Sequence, residues 1–113
     1  MGITYKNAYA AQLGATDTTL YTCPANTVAR VLKCTACNDT TTVPTFSFNK
    51  VPSGGSVAAT NLVINGRPLG NKETYECPEV VGQILDAGDI ISGIASSADQ
   101  VTIMLDVVET LQN

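Results

Sequence analysis

The sequence predicts an all-β domain, and three observations carry that prediction. Apolar residues alternate with polar ones over short runs, most clearly where Val101, Ile103, Leu105 and Val107 share one face. Turn-forming clusters punctuate those runs at intervals suited to a sandwich or barrel: Cys23-Pro24-Ala25-Asn26, Pro52-Ser53-Gly54-Gly55, Asn65-Gly66 and Ala87-Gly88-Asp89. No stretch as long as an ordinary helix sustains a 3.6-residue stripe. The 113 residues suit one domain with one core.

Taken in order, residues 1–14 read as an N-terminal arm or edge strand and residues 15–113 as the sandwich domain. A short strand over 18–22 leads into the Cys23-Pro24-Ala25-Asn26 turn, and a long strand follows, closing at Asn38-Asp39. Strict alternation there puts Val28, Arg30, Leu32, Cys34 and Ala36 on one face and Ala29, Val31, Lys33, Thr35 and Cys37 on the other. Both faces are largely apolar, which predicts a central strand. Residues 43–51 form a strand with Phe46 and Phe48 on the core side, and Pro44 suits the strand's entry. Pro52-Ser53-Gly54-Gly55 predicts a hairpin, from which residues 56–65 return as a strand to a turn at Asn65-Gly66. Residues 69–76 are a polar strand or extended segment, and 80–85 a strand or single helical turn. Residues 90–95 form a strand weakened by Gly93, and residues 101–109 form the last one. The total is seven or eight strands.

Composition narrows the function classes. Charged residues make up 14% of the chain, against about 25% in ordinary globular domains. Thr, Ser, Asn and Gly take their place, so the surface is neutral and polar, suited to packing against other proteins. Net charge is −4, but all six bases (Lys6, Arg30, Lys33, Lys50, Arg67, Lys72) precede residue 73, and all acids except Asp17 and Asp39 follow residue 72. Either the halves separate in space and the molecule is dipolar, with salt-sensitive contacts, or the strands interleave and the asymmetry cancels. Scattered bases and few aromatics give no nucleic-acid footprint. No apolar run near the N-terminus is long enough for a signal peptide or a membrane span, so synthesis in a cytoplasm with reduced thiols is expected.

Catalytic chemistry is sparse. The chain has no histidine, which removes Ser-His-Asp and Cys-His nucleophile systems and imidazole metal ligands together. No cofactor-binding fingerprint is present. Cys34 and Cys37 form a CxxC, and Cys23 and Cys77 would complete a four-cysteine zinc site, yet the intervals are irregular and residues three apart on a strand face opposite ways. Buried free thiols are the favoured reading, with a disulfide formed after assembly as a further alternative. Asp86 and Asp89 fit self-capping of their turn, and Glu73, Glu76 and Glu79 a solvated edge.

The order of short motifs resembles that of small virion proteins of tailed bacteriophages. Those motifs are Leu20-Tyr21-Thr22 with Pro24-Ala25-Asn26-Thr27, Cys37-Asn38, Pro68-Leu69-Gly70-Asn71-Lys72-Glu73-Thr74 and Leu85-Asp86-Ala87-Gly88-Asp89-Ile90, followed by a Ser/Ala-rich loop and an apolar strand. The resemblance covers the chain from about Leu13 onward. It implies a jelly-roll-like β-sandwich that forms a homo-oligomer, a trimer, on the outer surface of the virion. Its role there is to decorate and cement a shell of the major capsid protein; a tail, baseplate or fibre component is the alternative. No enzyme activity, cofactor, membrane or nucleic acid is implied. Contacts are expected from the arm (Thr4, Tyr5, Tyr9, Leu13), from Asn38 and Asp39, and from Ser53, Gly54 and Gly55.

Overall fold

Nine strands occur among the described residues, which are 2–112 of the computed structural model. They are β1 (Ile3–Gln12), β2 (Thr18–Thr22), β3 (Thr27–Cys37), β4 (Thr45–Val51), β5 (Leu62–Pro68), β6 (Thr74–Tyr75), β7 (Ile84–Leu85), β8 (Ile90–Ala95) and β9 (Thr102–Leu111). All pairings are antiparallel. One sheet runs β1-β9-β3, with β6 and β7 both on the far edge of β3; the other runs β2-β8-β4-β5. With β6 and β7 taken as one interrupted strand, the chain is a long hairpin whose tip lies between β4 and β5. Rolling that hairpin brings β9 against β3 and β8 against β4, which is the jelly-roll arrangement.

Period-two burial explains why the sheets face each other. In β9, Ile103, Leu105 and Val107 are fully buried while Met104 faces water. The second sheet answers with Phe46, Phe48, Ile64 and Ile91, and the two phenyl rings meet edge to face at 5.7 Å. Leu13, Leu69, Val80, Leu85 and Val101 close the ends of the same core. Each such side chain contributes about 1.5–3 kcal/mol on burial.

Strict alternation in β3 fails at Leu32. Against β9, the register of β3 slips between Val31 and Lys33, so Leu32 is an extra residue. A bulge turns every following side chain to the other face. Ala29 and Val31 therefore point inward before it and Cys34 and Ala36 after it, while Arg30 and Lys33 both stay exposed. The inward row draws on both of the faces expected from the sequence.

Further departures come from local hydrogen bonding. Residues 56–61 are a loop ending in a 3-10 turn (Ala59–Asn61), not strand, because their backbone is held by side chains. Asn61 Nδ2 donates to Ser56 O (2.8 Å), and buried Asn49 Nδ2 donates to Asn61 Oδ1 (2.7 Å) and Ala58 O (2.9 Å). Asn65-Gly66 is a bulge inside β5 rather than a turn: Phe46 faces Arg67, Phe48 faces Ile64, and Gly66 adopts φ 58°. The polar segment 69–76 pairs only at β6, and 80–85 holds a turn closed by Gln83 N to Val80 O (3.1 Å) before β7 begins. Residues 3–12 take the edge-strand form of the expected arm, laid along β9 from Ile3–Thr110 to Gln12–Thr102.

Gly93 answers to packing rather than to strand weakness. A β-carbon there would lie 3.0 Å from Leu20 Cδ1 and 3.1 Å from both Leu13 Cδ2 and Phe48 Cε1. Gly93→Ala is expected to destabilise the fold by about 1–3 kcal/mol. The readout is a lower urea midpoint at unchanged slope; a midpoint at or above wild type would mean those three side chains yield freely.

Candidate functional site

The outer face of the first sheet carries several exposed apolar side chains. Register places Tyr5, Val108, Arg30 and Ile84 in one row across β1, β9, β3 and β7. A second row runs Ile3, Thr110, Val28, and a third Ala10, Met104, Thr35. Directly opposed residues share a face. Tyr5 is 75% exposed, Ile3 66%, Met104 49% and Ile84 47%. Exposed apolar side chains scattered singly are ordinary; here Ile3, Tyr5, Met104 and Ile84 share one sheet face. The face ends at β1, whose outer edge pairs with nothing among the described residues. An open ten-residue edge offers backbone donors and acceptors to another strand.

Charge does not divide the molecule. Three ion pairs occur among the described residues, and two join the basic and acidic stretches of the sequence: Lys6 to Glu109 at 3.5 Å and Lys33 to Glu76 at 3.9 Å. The third, Lys72 to Asp39 at 3.0 Å, lies within the basic stretch. Interleaving follows from β9 lying between β1 and β3, which sets acids of the last stretch beside bases of the first.

At the open side of the sandwich, Glu109 clasps the two sheets together. Tyr21 Oη, from β2, donates to Glu109 Oε2 at 2.5 Å, and Lys6 Nζ approaches the same oxygen. Burial first, then the bond to Glu109 and its negative charge, pushes the Tyr21 phenol far above its ordinary value. Burial, then the same carboxylate, also raises the Cys23 thiol. Beside the clasp opens a pocket of about 340 Å³ lined by Thr4, Pro24, Thr27 and Leu111. A proton held this tightly on Tyr21 is no use to acid–base chemistry near neutral pH, so the cluster reads as a fastening.

The four cysteines do not converge. Cys23 Sγ lies 3.4 Å from Thr27 O and 3.6 Å from Leu85 O, at the start of β3. Cys34, further along β3, is fully buried, as is Cys77, whose Sγ lies 3.7 Å from Tyr75 O. Cys37 sits on the other side of β3, half-exposed beside Thr74 Oγ1 at 3.5 Å. This placement gives the four-cysteine zinc reading no support, and no group of three or more metal-ligating side chains gathers among the described residues. Burial holds for three of the thiols and not for Cys37.

Two expected contact residues belong to the interior. Leu13 is fully buried, anchoring the end of β1, with its backbone bonded to Val101 O at 2.8 Å. Asn38 is fully buried too. Its Nδ2 donates to Thr42 O (2.8 Å), Gly70 O (3.0 Å) and Leu69 O (3.1 Å), and its Oδ1 accepts from Thr40 N (2.9 Å). It is the hub that ties the loops at one end of the sandwich. Thr4 and Tyr5 are exposed on β1 and Tyr9 half-buried against the core. Asp39 is exposed at the Asn38 end, held by Lys72, while Ser53, Gly54 and Gly55 are exposed at the opposite end. Phe46 and Phe48 are core, Glu73 Oε1 caps Gly70 N, and Asp89 caps its turn through Asp86 N (2.9 Å) and Ser53 N (3.0 Å). Met104, Val108 and Ile84 escaped the sequence reading; the signal available was two apolar residues, Met104 and Val108, on the outward-facing side of an amphipathic strand.

No protein-family model and no curated protein matches this chain. Two solved structures superimpose on 98% of it. One, of the infectious bursal disease virus Gx strain, has TM-score 0.48 and 10% identity, with 32% of that chain covered. The other, a VP2 subviral particle of infectious bursal disease virus, has TM-score 0.45 and 13% identity, with 33% covered. The chain thus spans about a third of the length of each. The likeness extends to the packing of two antiparallel sheets and no further. No helix among the described residues is long and apolar enough to cross a membrane.

Two expectations follow. Because the Tyr21 phenol is raised on folding, its stabilising share is full below the unfolded value near 10 and declines as pH climbs above it. Tyr75, pushed up to about 12 by burial and its bond to Glu79, adds to the same decline. Tyr21→Phe should cost about 1.5–3 kcal/mol at pH 7 and flatten the loss of melting temperature between pH 9 and 11 (roughly one unit either side of that value); an equally steep loss in the variant would count against the clasp. Asn38→Ala should cost about 2–3 kcal/mol by thermal unfolding, since it strands buried carbonyls.

Proposed function

We propose that this chain is a non-enzymatic virion structural protein, a decoration protein that forms a homo-oligomer and cements a shell of major capsid protein on its outer surface. The observation that carries the reading is the exposed apolar face of β1, β9, β3 and β7 running out to the open edge of β1. Its occupant is a second copy of the chain. The face is mostly apolar, with Arg30 in its central row, and the open edge offers backbone donors and acceptors to a neighbouring copy. The order of motifs from Leu20 to the closing strand, which resembles small phage virion proteins, supports the same reading. Loops 38–42 and 52–61, at opposite ends, are left for the shell. Binding only the assembled shell, the protein stabilises it by mass action.

Light scattering on the purified chain tests the self-contact. A trimer that persists from about 0.05 M to 1 M salt is expected, because an apolar contact is not screened. Tyr5→Asp with Met104→Asp, both far from the core, should release monomer. A monomeric wild-type chain would sink the proposal. On intact particles, density at hundreds of copies over the shell is expected; a dozen or fewer would make the chain a tail component instead.

A further inference from the structure

We propose that Cys34 and Cys77 form a redox site, a dithiol that closes to a disulfide when it meets a low-molecular-weight disulfide such as oxidised glutathione. The two cysteines face each other across neighbouring backbones. Ala36 pairs with Tyr75 and Cys37 with Thr74, and Asn38 N donates to Glu73 O at 2.9 Å. Carrying that register two residues further sets Cys34 opposite Cys77. Opposed residues on antiparallel strands have Cα atoms about 4.5–5.5 Å apart, within the roughly 4.4–6.8 Å a disulfide spans. Both side chains are fully buried, on the core side of the sheet. Neither remaining cysteine competes: Cys37 faces the other side of β3 and Cys23 lies at the far end of that strand.

The backbone supplies a second observation. Cys77 adopts φ 46°, a left-handed conformation that disfavours any residue with a β-carbon and ordinarily selects glycine or asparagine. A thiol is kept there nonetheless. The turn starting at Cys77 swings the chain out of the ladder at the position that the register sets opposite Cys34. A bond between them fastens β3 to the link between β6 and β7, the margin where the sheet is held only by two-residue strands.

The exchange balances. The Cys77 thiolate attacks one sulfur of oxidised glutathione and expels a glutathione thiolate. The Cys34 thiolate then attacks the Cys77 sulfur of the mixed disulfide and expels the second. The protein gives up two electrons and two protons, and the oxidant receives them as two glutathione thiols. Cys34 holds its proton firmly, through the neighbouring Cys77 thiol and then its burial, so closure runs on local opening or on refolding. The site needs no partner and stands apart from the proposed virion role.

The test is refolding of the full chain from urea in a reduced and oxidised glutathione buffer, against refolding in reductant alone. Expected are the loss of two of the four thiols and, after cleavage at lysine and arginine, a link joining residues 34–50 to residues 73–113. The link should survive Cys37→Ser, at the sheet surface, and Cys23→Ala, and vanish in Cys34→Ala. The oxidised form should melt about 10 °C or more above the reduced one. Four free thiols after oxidative refolding would overturn the site, as would loss of the link in Cys37→Ser or a melting temperature no higher than that of the reduced chain. Since Cys37→Ser leaves the core untouched, it decides the matter even if Cys34→Ala does not fold.

Discussion

The insertion of β9 between β1 and β3 is the constraint on which the rest of the structure depends. It turns Ile103, Leu105 and Val107 toward Phe46, Phe48 and Ile91, and that row is the floor of the core. It engages the backbone of β9 on both sides, so the first sheet's long free edge passes outward to β1. It also sets the acids of the last stretch beside the bases of the first, which is why Lys6 finds Glu109. Architecture, surface and charge pairing share this one cause.

The sequence reading succeeded where side-chain pattern alone decides structure. The inward row of β9, the Phe46–Phe48 pair and the Cys23–Asn26 turn all follow from alternation and turn chemistry. It failed where backbone pairing decides. The bulge at Leu32 leaves no mark on composition, because an extra residue in one strand is defined only by the strand opposite. Leu13 and Asn38 look like surface residues in a linear string, a last residue of an arm and a first residue of a loop. Their burial comes from contacts with Val101, Thr42, Leu69 and Gly70 that no local pattern encodes.

Most of the polar groups that sequence reading singled out prove to be committed to structure. Asn38 gathers one end of the sandwich, Asp89 and Glu73 cap turns, and Glu109 joins the sheets. What remains outward is a largely apolar face and an unpaired strand edge. A protein so arranged acts through what it lies against, and the surface argument for assembly rests on this division between committed and uncommitted groups.

The placement of β9 also governs how the chain reaches its fold. Ile3 pairs with Thr110 and Val28 with the same residue, so the first sheet's principal ladders join segments made at opposite ends of synthesis. Such high contact order folds slowly, on the order of milliseconds to seconds. On the ribosome β1, and the edge of β3 that β9 occupies, must wait unpaired until β9 emerges, exposing backbone groups that later lie against it. Their sparse charge offers little protection in that interval, so the time between translation and closure, more than the finished stability, sets the risk of aggregation.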